Sequence, residues 1–221
     1  MNILLPILAV IIGFAIAQFS KVEKNAIQLL LSFSGAFLLS ITIFEFLPKV
    51  YIDYSKSIGL LIMVGILLQV FLEFLSKGAE HGHLHHDKSK TTFPYLLFVS
   101  LCIHALIEGY PIHTNHHLLY GVVVHKIPVA IIISSFLLTS NLSKGKILFF
   151  LILFALMTPL GSLLHQHFAV LAEIENYVHA LVIGIFLHVS TTILFESSKN
   201  HQFSFSKTIS IVVGIAIAYF L

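Results

Sequence analysis

The sequence predicts an all-α membrane protein: a bundle of eight transmembrane helices, with inverted repeats formed by helices 1–3 and 6–8 around helices 4 and 5. Three observations predict it. Of the 221 residues 57% are hydrophobic and only 10% charged, less than half the roughly 25% charged share of soluble domains. Mean hydropathy is +0.98, more apolar surface than a soluble fold of this size can hide. Apolar runs of about 20 residues, the length that crosses a hydrocarbon core of about 30 Å, recur eight times.

In chain order the runs cover about 3–19, 26–48, 58–75, 93–112, 118–138, 146–164, 177–196 and 207–221. No lysine precedes the first run and no small-residue cleavage site follows it, so it reads as a retained helix and not as a secretory signal peptide. Polar punctuation separates the runs at 20–25, 140–146 and 197–201. Gly35-Ala36-Phe37-Leu38 in the second helix reappears as Gly184-Ile185-Phe186-Leu187 in the seventh, which runs the other way. Such inverted repeats mark transporters that alternate access around a midplane site. The connections after helices one, three, five and seven carry Lys21, Lys24, Lys77, Lys88, Lys90, Lys144, Lys146, Lys199 and Lys207. The other side carries Lys49 and Lys56, which places the lysine-rich side in the cytoplasm and both termini outside. The chain reads as a single polytopic domain over 1–221, with a His-rich cytoplasmic loop at 76–92.

Composition excludes several functions. A net charge of +2 without a basic block gives a nucleic acid nothing to grip. A single cysteine, Cys102, excludes an internal disulfide framework and a Cys-only metal site. Fourteen histidines in a chain with no arginine point instead toward a metal.

An ionisable group at mid-bilayer costs at least ~2.5 kcal/mol, so each one needs a reason. The fourth helix holds His104 and Glu108, four residues apart and hence on one face. The fifth holds His125 and Lys126, followed by Pro128, which removes a backbone hydrogen bond and opens the preceding turn. Imidazole and carboxylate suit Zn²⁺, Fe²⁺ or a similar first-row ion. The plainer reading is that His104 and Glu108 hold helices together, with Lys126 as the salt-bridge partner of Glu108. Cys102, about 200° around the helix from His104, points away from this face.

These residues are where the chain resembles the ZIP (Zrt/Irt-like protein) family of divalent-metal transporters, as a bacterial-type member with a non-standard second metal site. Residues 104–109 read His-Ala-Leu-Ile-Glu-Gly, similar to the family's His-Asn-x-x-Glu-Gly motif in helix four. Residues 125–129 read His-Lys-Ile-Pro-Val, similar to its helix-five motif of His/Gln-Glu/Asp-x-Pro-His/Glu. Gly35-Ala36-Phe37-Leu38 with Leu47-Pro48, Thr158-Pro159-Leu160-Gly161 and Gly184-Ile185-Phe186-Leu187 extend the likeness over the whole chain. The resemblance implies eight helices with both termini outside, a histidine-rich loop after the third, and metal ligands at His104, Glu108 and His125. Ala105, Lys126 and Val129 stand where the family has an asparagine, an acid and a bridging ligand. A second metal therefore has no obvious home, and the Lys126 ammonium is expected to occupy that position as a tethered cation balancing Glu108.

Glu45, three residues before Pro48, and His188, among Ser190, Thr191 and Thr192, are candidate pathway residues; either could instead serve headgroup water or an interhelical hydrogen bond. His81, His83, His85 and His86 form a candidate chelating loop inside, or simply a solvated one. Outside, His113, His116, His117, His165, His167, Glu173 and Glu175 could raise local cation concentration at a mouth. The expected function is inward transport of a divalent transition metal, Zn²⁺ first and Fe²⁺ or Mn²⁺ next, by alternating access in the plasma membrane (the inner membrane of a bacterium). The metal is substrate, no cofactor is expected, and the partners are the ion, the lipid bilayer and, if the chain pairs, a homodimer copy. A non-transporting metal sensor or binding protein is the alternative. An intramembrane zinc hydrolase is disfavoured, since no His-Glu-x-x-His run or nucleophile constellation is present, so no enzyme is expected.

Overall fold

Eight apolar runs become helices, and every described element is helical. The computed structural model describes residues 3–20, 23–52, 54–76, 78, 94–167, 174–196 and 204–221. In order the helices are α1 (Leu4–Phe19), α2 (Lys24–Ile41), α3 (Lys56–Ser76), α4 (Tyr95–Gly109), α5 (His116–Leu138), α6 (Lys144–His167), α7 (Glu175–Glu196) and α8 (Phe205–Tyr219). Past Ile41, α2 widens into one π turn, Thr42–Phe46, and continues as Leu47–Tyr51. Pro48 supplies the reason: it has no N–H to give, and its ring crowds the carbonyl four residues earlier, so the helix must loosen ahead of it. Between α4 and α5, Pro111 opens a single 3₁₀ turn, Pro111–His113. α5 then starts on an Asn115 cap, whose side chain accepts from the Leu118 N–H.

Six of these helices are long and apolar enough to cross a membrane, not the expected eight. α1 and α8 have 16 and 15 residues, about 24 and 22 Å of rise, short of the hydrocarbon core. α1 is cut off where Ser20 turns to extended backbone, φ −126° and ψ 137°. α8 begins only at the Ser204 cap, which accepts from Lys207 N–H.

The outside is apolar, and the interior combines apolar cores with buried polar side chains. Leu60, Phe71, Phe74, Phe149, Phe205 and Val212 face outward, whereas Ser32, Ser34, Gln69, Ser100, Thr158 and Ser190 are buried. A contiguous apolar outer face of this extent needs lipid against it. The chain is accordingly a multi-pass, membrane-embedded helical bundle.

Four pairings dominate the packing: α3 with α7, α1 with α5, α2 with α8, and α4 with α6. All four have a glycine at the crossing, and in two of them glycines on both helices let the backbones meet. A Cβ on Gly65 would collide with the Leu181 carbonyl and one on Gly184 with that of Ile62, so α3 and α7 meet backbone to backbone. Gly109 and Gly161 do the same for α4 and α6, against Thr158 and Leu106. Without a hydrophobic drive in lipid, this close approach is what holds helices together. One apolar core joins α2, α3, α5 and α7 around Phe46, Phe186 and Leu38. A second joins α1, α4, α5 and α6 around Phe150, Phe154 and Leu101. The ionisable residues of α4 and α5 sit against the second core.

Candidate functional site

The α4–α6 glycine crossing brings Thr158 beside Glu108, and α5 delivers Lys126 to both. Lys126 Nζ lies 2.5 Å from Glu108 Oε1 and 2.7 Å from Thr158 Oγ1. The Thr158 hydroxyl in turn donates to Glu108 Oε1 at 2.8 Å. The ammonium also lies 4.5 Å from the centroid of the Phe154 ring, where a cation is attracted to the ring face. Lys126 and Glu108 side chains are each 2% exposed, so this is a buried ion pair. Burying two charges is tolerable only with this geometry and these added hydrogen bonds.

The second Glu108 oxygen looks the other way. Oε2 lies 3.5 Å from His104 Nε2, and His104 Nδ1 lies 3.0 Å from Gln69 Oε1 of α3. Which ring nitrogen donates depends on the tautomer: Nδ1–H donates to Gln69 Oε1 in one, and Nε2–H faces the Glu108 carboxylate in the other.

His104, Glu108, His125 and Lys126 line one small cavity together with Leu101, Val129 and Phe154. It holds about one water-sized particle. The three expected ligands and the expected tethered cation are thus brought together. Among the described residues no three His, Cys, Asp or Glu side chains stand grouped as a metal shell. The expected salt-bridge partnership of Lys126 with Glu108 is present in full.

Other sequence candidates lie elsewhere. Glu45 sits in the π turn of α2, 3.8 Å from Lys49 and partly exposed. His188 pairs with Glu73 of α3 at 2.6 Å; neither it nor Glu45 lines the cavity. Cys102 does not line it either. His81, His83, His85 and His86 lie outside the described residues, as does Glu173. At the far end Glu175 meets His179 at 3.5 Å, and the His179 ring packs edge-on against Phe46.

Sequence reasoning missed Gln69, Thr158 and Phe154 as parts of the site. Gln69 left a signal, being the lone amide inside the apolar run of α3. Thr158 left none beyond its place before Pro159. No protein-family model matches the chain, and no curated protein matches it.

Proposed function

We propose that this chain is a carrier that moves a divalent transition metal, Zn²⁺ in the first place, across the membrane through the cavity between α4, α5 and α6. The observation that carries the proposal is that His104, Glu108 and His125, two imidazoles and a carboxylate, line one small cavity inside an apolar bundle, with His104 Nε2 3.5 Å from Glu108 Oε2. Lys126 makes the site a single-metal one. Its ammonium shares the carboxylate from the Oε1 side, so an arriving dication meets both a ligand and a repelling charge. That combination favours weak binding and ready release. Fe²⁺ and Mn²⁺ fit the same ligand chemistry.

The pairing of helices supports alternating access. Exchanging helix 1 with 6, 2 with 7, 3 with 8 and 4 with 5 maps the four dominant pairs onto one another, as inverted repeats would. In this reading all eight helices span, α1 and α8 being matched to the bilayer by local thinning and by flanking residues. Both termini lie outside, the lysine-rich side lies in the cytoplasm, the membrane is the plasma membrane, and transport runs inward. Together with the residue likeness at 104–109 and 125–129, this supports reading the chain as a ZIP-type carrier.

One observation favours a second reading, a metal-binding protein without transport: Lys126 already satisfies half of Glu108. Radiolabelled Zn²⁺ uptake into proteoliposomes by the parent and by Glu108→Gln separates the two. Saturable uptake in the parent that falls at least tenfold in the variant supports the carrier. Zn²⁺ bound by the parent without any uptake supports the second reading.

A further inference from the structure

Gln69 is an amide buried in full inside an apolar membrane helix, 0% exposed, yet it does not line the central cavity. A polar group taken out of water costs free energy unless it finds a partner. Its partner is the His104 ring of the neighbouring α4, whose Nδ1 lies 3.0 Å from Gln69 Oε1. The opposite ring nitrogen, Nε2, lies 3.5 Å from Glu108 Oε2, and His104 and Glu108 line the cavity together. The ring is thus held from behind by α3 and turned at its other edge toward the carboxylate.

A neutral imidazole carries one ring hydrogen, for which these two acceptors compete. Two features favour Gln69. Its contact has the length of an ordinary N–H···O bond, whereas a charge-assisted bond to a carboxylate would close to about 2.7–2.9 Å, well short of the 3.5 Å seen at Glu108. Glu108 also already accepts from the Lys126 ammonium and the Thr158 hydroxyl, both on Oε1. An amide turned to donate would instead send the hydrogen to Nε2, between the ring and Glu108. A ring nitrogen binds a metal only through its lone pair, and donation of the other N–H to a carbonyl fixes that tautomer and raises the basicity of the ligand.

We propose that Gln69 is a positioning residue for the central site: its side-chain carbonyl holds the His104 hydrogen on Nδ1 and so presents the Nε2 lone pair to a divalent ion beside Glu108. The part played by the ion rests on the carrier reading. The tautomer does not.

The test is ¹⁵N NMR of the purified full-length protein, labelled at histidine and free of metal, which separates ring nitrogens that carry hydrogen from those that do not. The His104 signals are those missing in His104→Asn. The parent should carry hydrogen on Nδ1 alone. Gln69→Met, similar in length and volume, should move it to Nε2, and Gln69→Glu, which keeps an acceptor, should leave Nδ1 protonated. Hydrogen on Nε2 in the parent overturns the proposal, and that spectrum needs no variant to fold. A parent-like tautomer in Gln69→Met overturns it as well. Co²⁺ titration, with His81, His83, His85 and His86 replaced by Ser to remove loop binding, reads the consequence for the ion that His104→Asn loses. Gln69→Met should weaken its binding at least tenfold, and Gln69→Glu should recover the parent's affinity. Equal affinity in Gln69→Met and the parent overturns the positioning role. A Gln69-dependent tautomer in a parent that binds no Co²⁺ at His104 upholds Gln69 as the residue that sets the ring and removes the metal reading of the cavity.

Discussion

Replacing Lys126 with methionine would leave the Glu108 carboxyl buried and without its main partner. Losing one member of a buried pair costs about 3–5 kcal/mol. Lys126→Met is therefore expected to lower the unfolding midpoint in detergent sharply, and the double variant Lys126→Met, Glu108→Gln to recover much of the loss. A double variant no better than the single one would mean the ion pair is not what holds α4 to α5. Thr158→Val removes one hydroxyl from the same triangle and should cost less, about 1–3 kcal/mol, read by the same thermal scan. His104, Glu108, His125 and Lys126 were legible in the sequence because an ionisable side chain in an apolar run is expensive wherever it points. Thr158 was not, because a hydroxyl in a membrane helix ordinarily bonds its own backbone. Ser40 does so to the Ala36 carbonyl at 2.8 Å and Thr42 to that of Leu38 at 2.8 Å. Only the tertiary contact tells Thr158 from them.

The elements are positioned by glycine more than by side-chain interlock. Gly184→Ala drives a methyl group into the Ile62 carbonyl, and the crossing must widen. Overpacking of this kind costs about 1–3 kcal/mol, and the displaced α7 carries His188 away from Glu73. Gly145→Ala meets nothing within 4 Å, in the first turn of α6. It should be neutral or stabilising by about 0.4–1 kcal/mol. Unfolding of the two variants in the same detergent checks the contrast, and equal midpoints would contradict it. Helix existence was readable from the apolar runs, and all eight appear. Their ends were less so: the run at 93–112 contains Pro111, which stops α4 at Gly109 and inserts the 3₁₀ turn. The π turn at Thr42–Phe46 likewise follows from Pro48, although periodicity alone gives no sign of an extra residue in a turn.

For the whole molecule, topology and transport are separate questions with separate readouts. Single cysteines introduced by Lys56→Cys and Lys144→Cys in a Cys102→Ser background should label from opposite sides of the membrane, Lys56→Cys from outside. A tag before α1 should be accessible outside if α1 spans; accessibility only from inside would reduce the bundle to its longer helices at that end. The apolar exterior was implicit in a charged content of 10%, but which polar residues share a cavity inside was not. His104 to Gln69 spans 35 positions and Thr158 to Glu108 spans 50, distances over which no local pattern carries information. The most direct measurement of the central claim is the initial rate of radiolabelled Zn²⁺ entry into proteoliposomes holding the purified parent, His104→Ala or Lys126→Asp. Saturable entry in the parent, lost in His104→Ala and changed in rate by Lys126→Asp, is the predicted result. Entry that is absent from the parent for Zn²⁺, Fe²⁺ and Mn²⁺ alike, or that His104→Ala leaves untouched, would contradict it.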